Sequence, residues 1–104
     1  MRCAPVFIAA SVSLCAAAAA AQTIDANLAR SIAASCANCH GTNGVSRGGI
    51  ASLSGMRKED IVRTMQDFKA GTKPGTIMPQ LAKGYTDAQI ELAAGWFAEQ
   101  KAGK

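Results

Sequence analysis

Five consecutive residues, Cys36-Ala37-Asn38-Cys39-His40, constrain this chain more than any other part of it. They set two thiols three positions apart and put the single histidine of the chain directly after the second. On a helical backbone, positions i and i+3 are neighbours on the surface. Both thiols, and the imidazole that follows, would then meet whatever lies against that end of the helix.

The amino-terminal segment has a different character. Met1-Arg2 is a short positive start, and Val6 to Ala21 is almost wholly apolar or small. Ala19-Ala20-Ala21 then precedes Gln22. These are the three parts of a secretory signal peptide, with cleavage expected after Ala21. As a membrane anchor the stretch is short and poor in large residues. Cys15 is a poor lipidation site because Leu14 sits where a small residue is wanted. Residues 1–21 are therefore read as an export signal and residues 22–104 as one domain. Loss of the signal removes Cys3 and Cys15, leaving Cys36 and Cys39 in an exported, oxidising compartment, here the periplasm.

A domain of about 83 residues buries a limited share of its surface and often needs a staple, metal or cofactor. Its aromatic residues are only Phe68, Tyr85, Trp96 and Phe97, so a large apolar cofactor would complete the core. Charge is modest: the whole chain carries eleven Lys and Arg against seven Asp and Glu, a formal net charge of +4. The charges are scattered without a basic stripe or interleaved aromatics, which argues against a nucleic-acid binder.

Three segments show helical periodicity. The first runs from about Thr23 to Ala34, with Ile24, Leu28 and Ile32 on one face, and leads into the cysteine motif. A Gly-rich loop follows from Gly41 to Gly55; it lacks the Gly-Lys-Ser/Thr signature of a phosphate loop. The second helix spans Lys58 to Ala70, with Glu59 and Asp60 in its first turn. Ile61, Met65 and Phe68 mark its buried face, and Gly71 is placed to end it. Thr72 to Gly84 reads as a loop. The third helix starts at Thr86, where Thr86-Asp87-Ala88-Gln89 forms a capping box, and it buries Ile90, Ala93, Ala94 and Phe97. No segment after the signal reads as a strand. The expected class is all-α, with short helices and long loops that need an organising group.

Cys-x-x-Cys-His is the attachment pattern of c-type haem. Two thiols on one helical turn can add to the two vinyl groups along one porphyrin edge, and His40 can then present a ring nitrogen to iron. A Cys36–Cys39 disulfide or redox dithiol uses the same spacing, but the redox enzymes need a βαβ context that is missing. Zinc would want a fourth ligand. For the second axial position the candidates are Met56, Met65 and Met78. Met65 lies in register with the core face of its helix, and Met56 follows a small-residue loop where it could cover a haem edge. Met78 lies in a loop restrained by Pro74-Gly75 and Pro79, with Pro79 expected to hold it extended. It is the preferred thioether ligand, and a soft sulfur there stabilises reduced iron.

Along residues 22–104 the order of features resembles that of class I cytochromes c. An amino-terminal helix carries Cys-x-x-Cys-His; a Gly-rich loop, a middle helix, a Met-Pro loop and a closing helix with an aromatic pair follow. The resemblance implies that the first and last helices cross, with Trp96 or Phe97 against Leu28, Ala29 and Ile32. More specific runs, Ser35 to Thr42, Phe68 to Gly71, Thr76 to Met78 and Leu81 to Asp87, look like the cytochrome subunit of flavocytochrome c sulfide dehydrogenase. That likeness implies a periplasmic flavoprotein partner that oxidises sulfide and passes electrons to the haem. Family members often carry Pro where Ala51 stands, and its carbonyl accepts a hydrogen bond from the axial histidine; Ala51 still offers that carbonyl. Some members hold two haems, whereas one motif here predicts one.

The expected function is therefore electron carriage by a single haem c, tethered by Cys36 and Cys39 and ligated by His40 and Met78, with no catalytic acid or base. On this reading the chain is not an enzyme in itself, though it can serve as a subunit of a sulfide dehydrogenase complex. The partners would be a flavoprotein and a downstream electron acceptor, with neither nucleic acid nor membrane. The alternatives are a freely diffusing class I cytochrome c without a flavoprotein, and a haem enzyme or gas sensor with an open sixth iron position. Lys69, Lys73 and Lys83 flank the Met78 loop. They read most simply as solvated, and otherwise as a steering face for an acidic partner.

Overall fold

The computed structural model describes residues 13–102, with side chains from residue 25 onward. The export segment expected over residues 1–21 lies outside the residues whose side chains are described. Among the described residues there are four α-helices and one 3-10 turn: α1 (Ser13–His40), the turn Thr42–Gly44, α2 (Lys58–Ala70), α3 (Met78–Lys83) and α4 (Asp87–Ala98). None is a strand, in agreement with the all-α expectation. No described helix is long and apolar enough to cross a membrane.

The helix ends follow local chemistry. At α2, Gly71 takes a left-handed conformation (φ 77°, ψ 13°), and its amide reaches back to the carbonyls of Asp67 and Phe68. A side chain is disfavoured at such a position and glycine is not. At α4 the expected capping box is complete: the Gln89 amide donates to Thr86 Oγ1 and the Thr86 amide to Gln89 Oε1.

Two of the expected element bounds change. α1 does not stop near Ala34 but continues through the cysteines to His40, so the motif forms its last turns. The stretch expected as loop over Thr72–Gly84 contains α3, and Met78 is its first residue rather than an extended one. Proline lacks only an N–H that the first helical turn leaves unbonded, and its fixed φ suits that turn. Pro79 therefore starts a helix here instead of prolonging a loop.

Packing is built on small residues. α4 packs on α1 and on α2, and α2 packs on α3. The core cluster is Ala33, Ile61, Ala94 and Phe97, with Cys36, Leu53, Met56, Val62, Met65 and Trp96 packed around it. Alanines at Ala29 and Ala33 of α1 and at Ala93 and Ala94 of α4 are buried. With so little side chain between the axes, the two helices can approach closely. The buried face of α1 is thus Ala29–Ala33–Cys36, and Leu28, expected in the core, is 44% exposed. Phe97 is the large side chain that fills the centre, at 1% exposure. Trp96 meets it edge-on at 5.1 Å between ring centroids. The buried face expected of α4, namely Ile90, Ala93, Ala94 and Phe97, is the observed one.

Candidate haem site

Cys36, Cys39 and His40 leave the core together at the carboxyl end of α1. The Cys36 thiol is half-buried against the core and donates to the Ile32 carbonyl at 3.7 Å, while Cys39 is exposed. Both cysteines are free thiols, not a disulfide. Burial pushes the Cys36 thiol up from its ordinary pKa, partly opposed by the neighbouring Ser35 hydroxyl. An open groove of about 380 Å³ runs beside Cys39, lined by Ala37, Asn38, Val45, Arg47 and Ile50 among others.

The loop after α1 is folded so that it supports the histidine. Gly41 (φ 90°), Asn43 (φ 56°) and Gly44 (φ 78°) turn the chain, and the carbonyl of Gly44 accepts the amides of Leu53 and Ser54. That closure fixes the intervening residues and brings the Ala51 carbonyl 2.6 Å from His40 Nδ1. A carbonyl only accepts, so Nδ1 is the nitrogen that carries a proton, and in that tautomer of the ring the lone pair lies on Nε2. The bond therefore orients the imidazole and selects the tautomer whose Nε2 can bind a metal. Among the described residues no cluster of three or more His, Cys, Asp or Glu side chains is suited to a bare metal ion.

Met78 lies on a separate element. It is half-buried at the start of α3, which is anchored by the fully buried Ala82. α3 packs on α2, and α1 and α3 make no substantial packing of their own. Met56 and Met65 both pack against the core cluster. Large apolar residues next to the candidate ligands are exposed: Ile50, beside Ala51, at 47%, and Ile77 and Leu81, on either side of Met78, at 57% and 43%. Side chains of this kind usually pack inward. A large apolar group beside these ligands would have such side chains to pack on, so the chemistry of the residues present fits a haem.

The lysines expected to flank Met78 differ in what they do. Lys69 is committed: its Nζ donates to the Tyr85 carbonyl at 2.8 Å and to Asp87 at 3.0 Å. Lys73 sits 5.9 Å from the centre of the Phe68 ring, a cation–π distance. The motif pattern did not disclose Ser35 and Tyr85, whose hydroxyls meet at 2.8 Å across 50 residues of sequence. Sequence periodicity carries no signal for such a pairing.

Comparison with known proteins bears on the family of the chain. No family model matches the chain. Over 63 residues, 61% of this chain, it is 46% identical to the cytochrome subunit of sulfide dehydrogenase from Chlorobaculum tepidum, covering 57% of that protein. The chain is related to the c-type cytochromes. It is also 35% identical over 63 residues to cytochrome c-552 of Acidithiobacillus ferridurans, covering 27% of it. With cytochrome c4 of Azotobacter vinelandii the identity is 32% over 87 residues, covering 41% of that protein. The chain thus spans between about a quarter and three-fifths of the length of these curated relatives. For a c-type cytochrome, Cys36, Cys39 and His40 are the residues that match the haem-attachment pattern, and the helix order is the one expected of the class I fold.

Proposed function

We propose that this chain is an exported, periplasmic electron carrier holding one haem c, and that it receives electrons from a sulfide-oxidising flavoprotein. It is not itself an enzyme. The observation that carries the haem reading is the 2.6 Å bond from His40 Nδ1 to the Ala51 carbonyl beside two free thiols. It prepares Nε2 as a ligand and holds the ring in one orientation. Cys36 and Cys39 would tether the porphyrin by thioether bonds, and His40 and Met78 would ligate iron from α1 and α3. Bound haem would supply the ferric–ferrous couple. The protein supplies the ligands, an apolar surround from Ile50, Ile77 and Leu81, and a fixed geometry that lowers the reorganisation on electron transfer. The flavoprotein partner is supported by the likeness to the Chlorobaculum tepidum protein, which is named as the cytochrome subunit of sulfide dehydrogenase.

The test is expression of the chain with haem-maturation machinery, followed by denaturation and solvent extraction. Haem that stays with the polypeptide supports attachment; haem lost from the wild type, or retained by a Cys36→Ala/Cys39→Ala variant, overturns it. Met78→Ala should lower the reduction potential because ferrous iron loses its thioether ligand; an unchanged potential would remove Met78 from the site. Isolation of the protein from its native cells should bring down a flavin-containing partner, and repeated isolation of the cytochrome alone would favour a free carrier.

A further inference from the structure

Tyr85 stands where four parts of the structure meet. Its amide donates to the Ala82 carbonyl at 3.3 Å, binding it to the last turn of α3. Its carbonyl accepts from Lys69 of α2 at 2.8 Å. It immediately precedes Thr86, the cap of α4. Its hydroxyl lies 2.8 Å from Ser35 Oγ on α1, one residue before Cys36. Ser35 uses its single proton on the Ile32 carbonyl at 2.6 Å, so the Tyr85 hydroxyl is the donor in the pair. The polar chain continues from Lys69 to Asp87 and from Gln66 to Asp87, both at 3.0 Å. α1 and α3 do not pack substantially on each other. Among the described side-chain hydrogen bonds, Ser35–Tyr85 is therefore the one that joins the Cys36–His40 helix to the segment anchored on the Met78 helix.

We propose that Tyr85 is a positioning residue: its hydroxyl, bonded to Ser35, holds α3 and Met78 in register with the Cys36–His40 end of α1. The proposal rests on the reading that Met78 is an axial ligand. A ligand on a short helix stays on iron only if that helix is held against the opposite ligand. Loosening the strut leaves the covalent tethers and His40 in place but makes the thioether easier to displace.

Ferric holoprotein titrated with imidazole reads this directly, through loss of the thioether-to-iron charge-transfer absorption. One hydrogen bond of ordinary net strength corresponds to a change of about two- to twelvefold. Tyr85→Phe and Ser35→Ala should each raise the apparent imidazole affinity by about that factor. The double variant should match either single one, because both remove the same bond. Ser35→Thr, which keeps the hydroxyl, should behave as the wild type. Ser35 is exposed, so Ser35→Ala decides the matter alone if Tyr85→Phe does not assemble. Wild-type imidazole affinity in the variants, even with a lower unfolding midpoint, would mean a merely structural bond and overturn the proposal. Absence of the thioether absorption from the wild type itself would remove Met78 as ligand, and the proposal with it.

Discussion

His40 Nδ1 and the carbonyl oxygen of Ala51 lie 2.6 Å apart, eleven residues from one another along the chain. The bond crosses the glycine-rich loop and depends on the closure of that loop at Gly44, whose carbonyl takes the amides of Leu53 and Ser54 at 2.8 and 3.2 Å. The orientation of the imidazole is therefore a property of the loop as much as of the helix that carries it. Because the acceptor is a backbone atom, substitution at Ala51 changes the restraint on the loop and leaves the acceptor in place.

Ala51→Gly should accordingly keep the hydrogen bond but add freedom to the unfolded loop. The expected loss is about 0.4–1 kcal/mol of stability, read as a lower denaturant midpoint with an unchanged slope. A midpoint equal to that of the wild type would show that the loop is not restrained at this residue.

Gly44 is the sharper test of the same loop. It has φ 78°, and a Cβ there would lie 2.8 Å from Phe97 Cδ1 and 2.9 Å from the Ser54 amide nitrogen. Gly44→Ala combines a left-handed conformation with overpacking against the central aromatic ring, for a cost of about 2–4 kcal/mol. Thermal or denaturant unfolding should show it, and a loss below that of a surface alanine substitution would contradict the contact.

Thr86 and Gln89 close the capping box at the start of α4, each side chain accepting the other's amide at 3.1 and 2.9 Å. Thr86→Ala should lower stability by about 1 kcal/mol. Thr86→Ser, which restores the acceptor oxygen, should recover most of it in the same unfolding measurement.

Asp87 gives the fold a dependence on acid pH. The Gln66 amide, then Lys69, holds its carboxyl below the usual carboxylate range. The folded state therefore favours the ionised form more than the unfolded chain does. That contribution is present above the unfolded carboxylate pKa and fades as pH falls through the folded value. Asp87→Asn should flatten this part of the profile, so that wild type and variant separate in unfolding midpoint above about pH 5 and draw together as the pH falls through the folded-state value. Since the pair is open to solvent, added salt should shrink the difference. A constant gap across that range would place the effect of Asp87 elsewhere.

Much of the helical skeleton is readable from local chemistry. The bounds of α2, the terminating Gly71 and the Thr86–Gln89 box depend on residues within a few positions of one another. So does the buried face of α4, where a spacing of three and four collects Ile90, Ala93, Ala94 and Phe97. α3 escaped because Pro79 carries two opposed local meanings, a restraint on the residue before it and a good first-turn residue, and only its packing against α2 chooses between them. The face of α1 escaped for a related reason. Its large residues Leu28 and Ile32 outweigh alanine in any hydropathy pattern, whereas the approach of α4 selects the small Ala29 and Ala33.

By itself, the sequence determined which groups are available. Two thiols and a histidine stand in one short run, a methionine precedes Pro79, and the helix caps follow from adjacent side chains. These are local features, set by spacings of a few residues. Tertiary structure decided how the groups are disposed. It delivered the Ala51 carbonyl to His40, paired Lys69 with Asp87 and joined Tyr85 to Ser35 across 50 residues. Such contacts depend on where distant elements come to rest, which here is set by an alanine-lined crossing of α1 and α4 around Phe97.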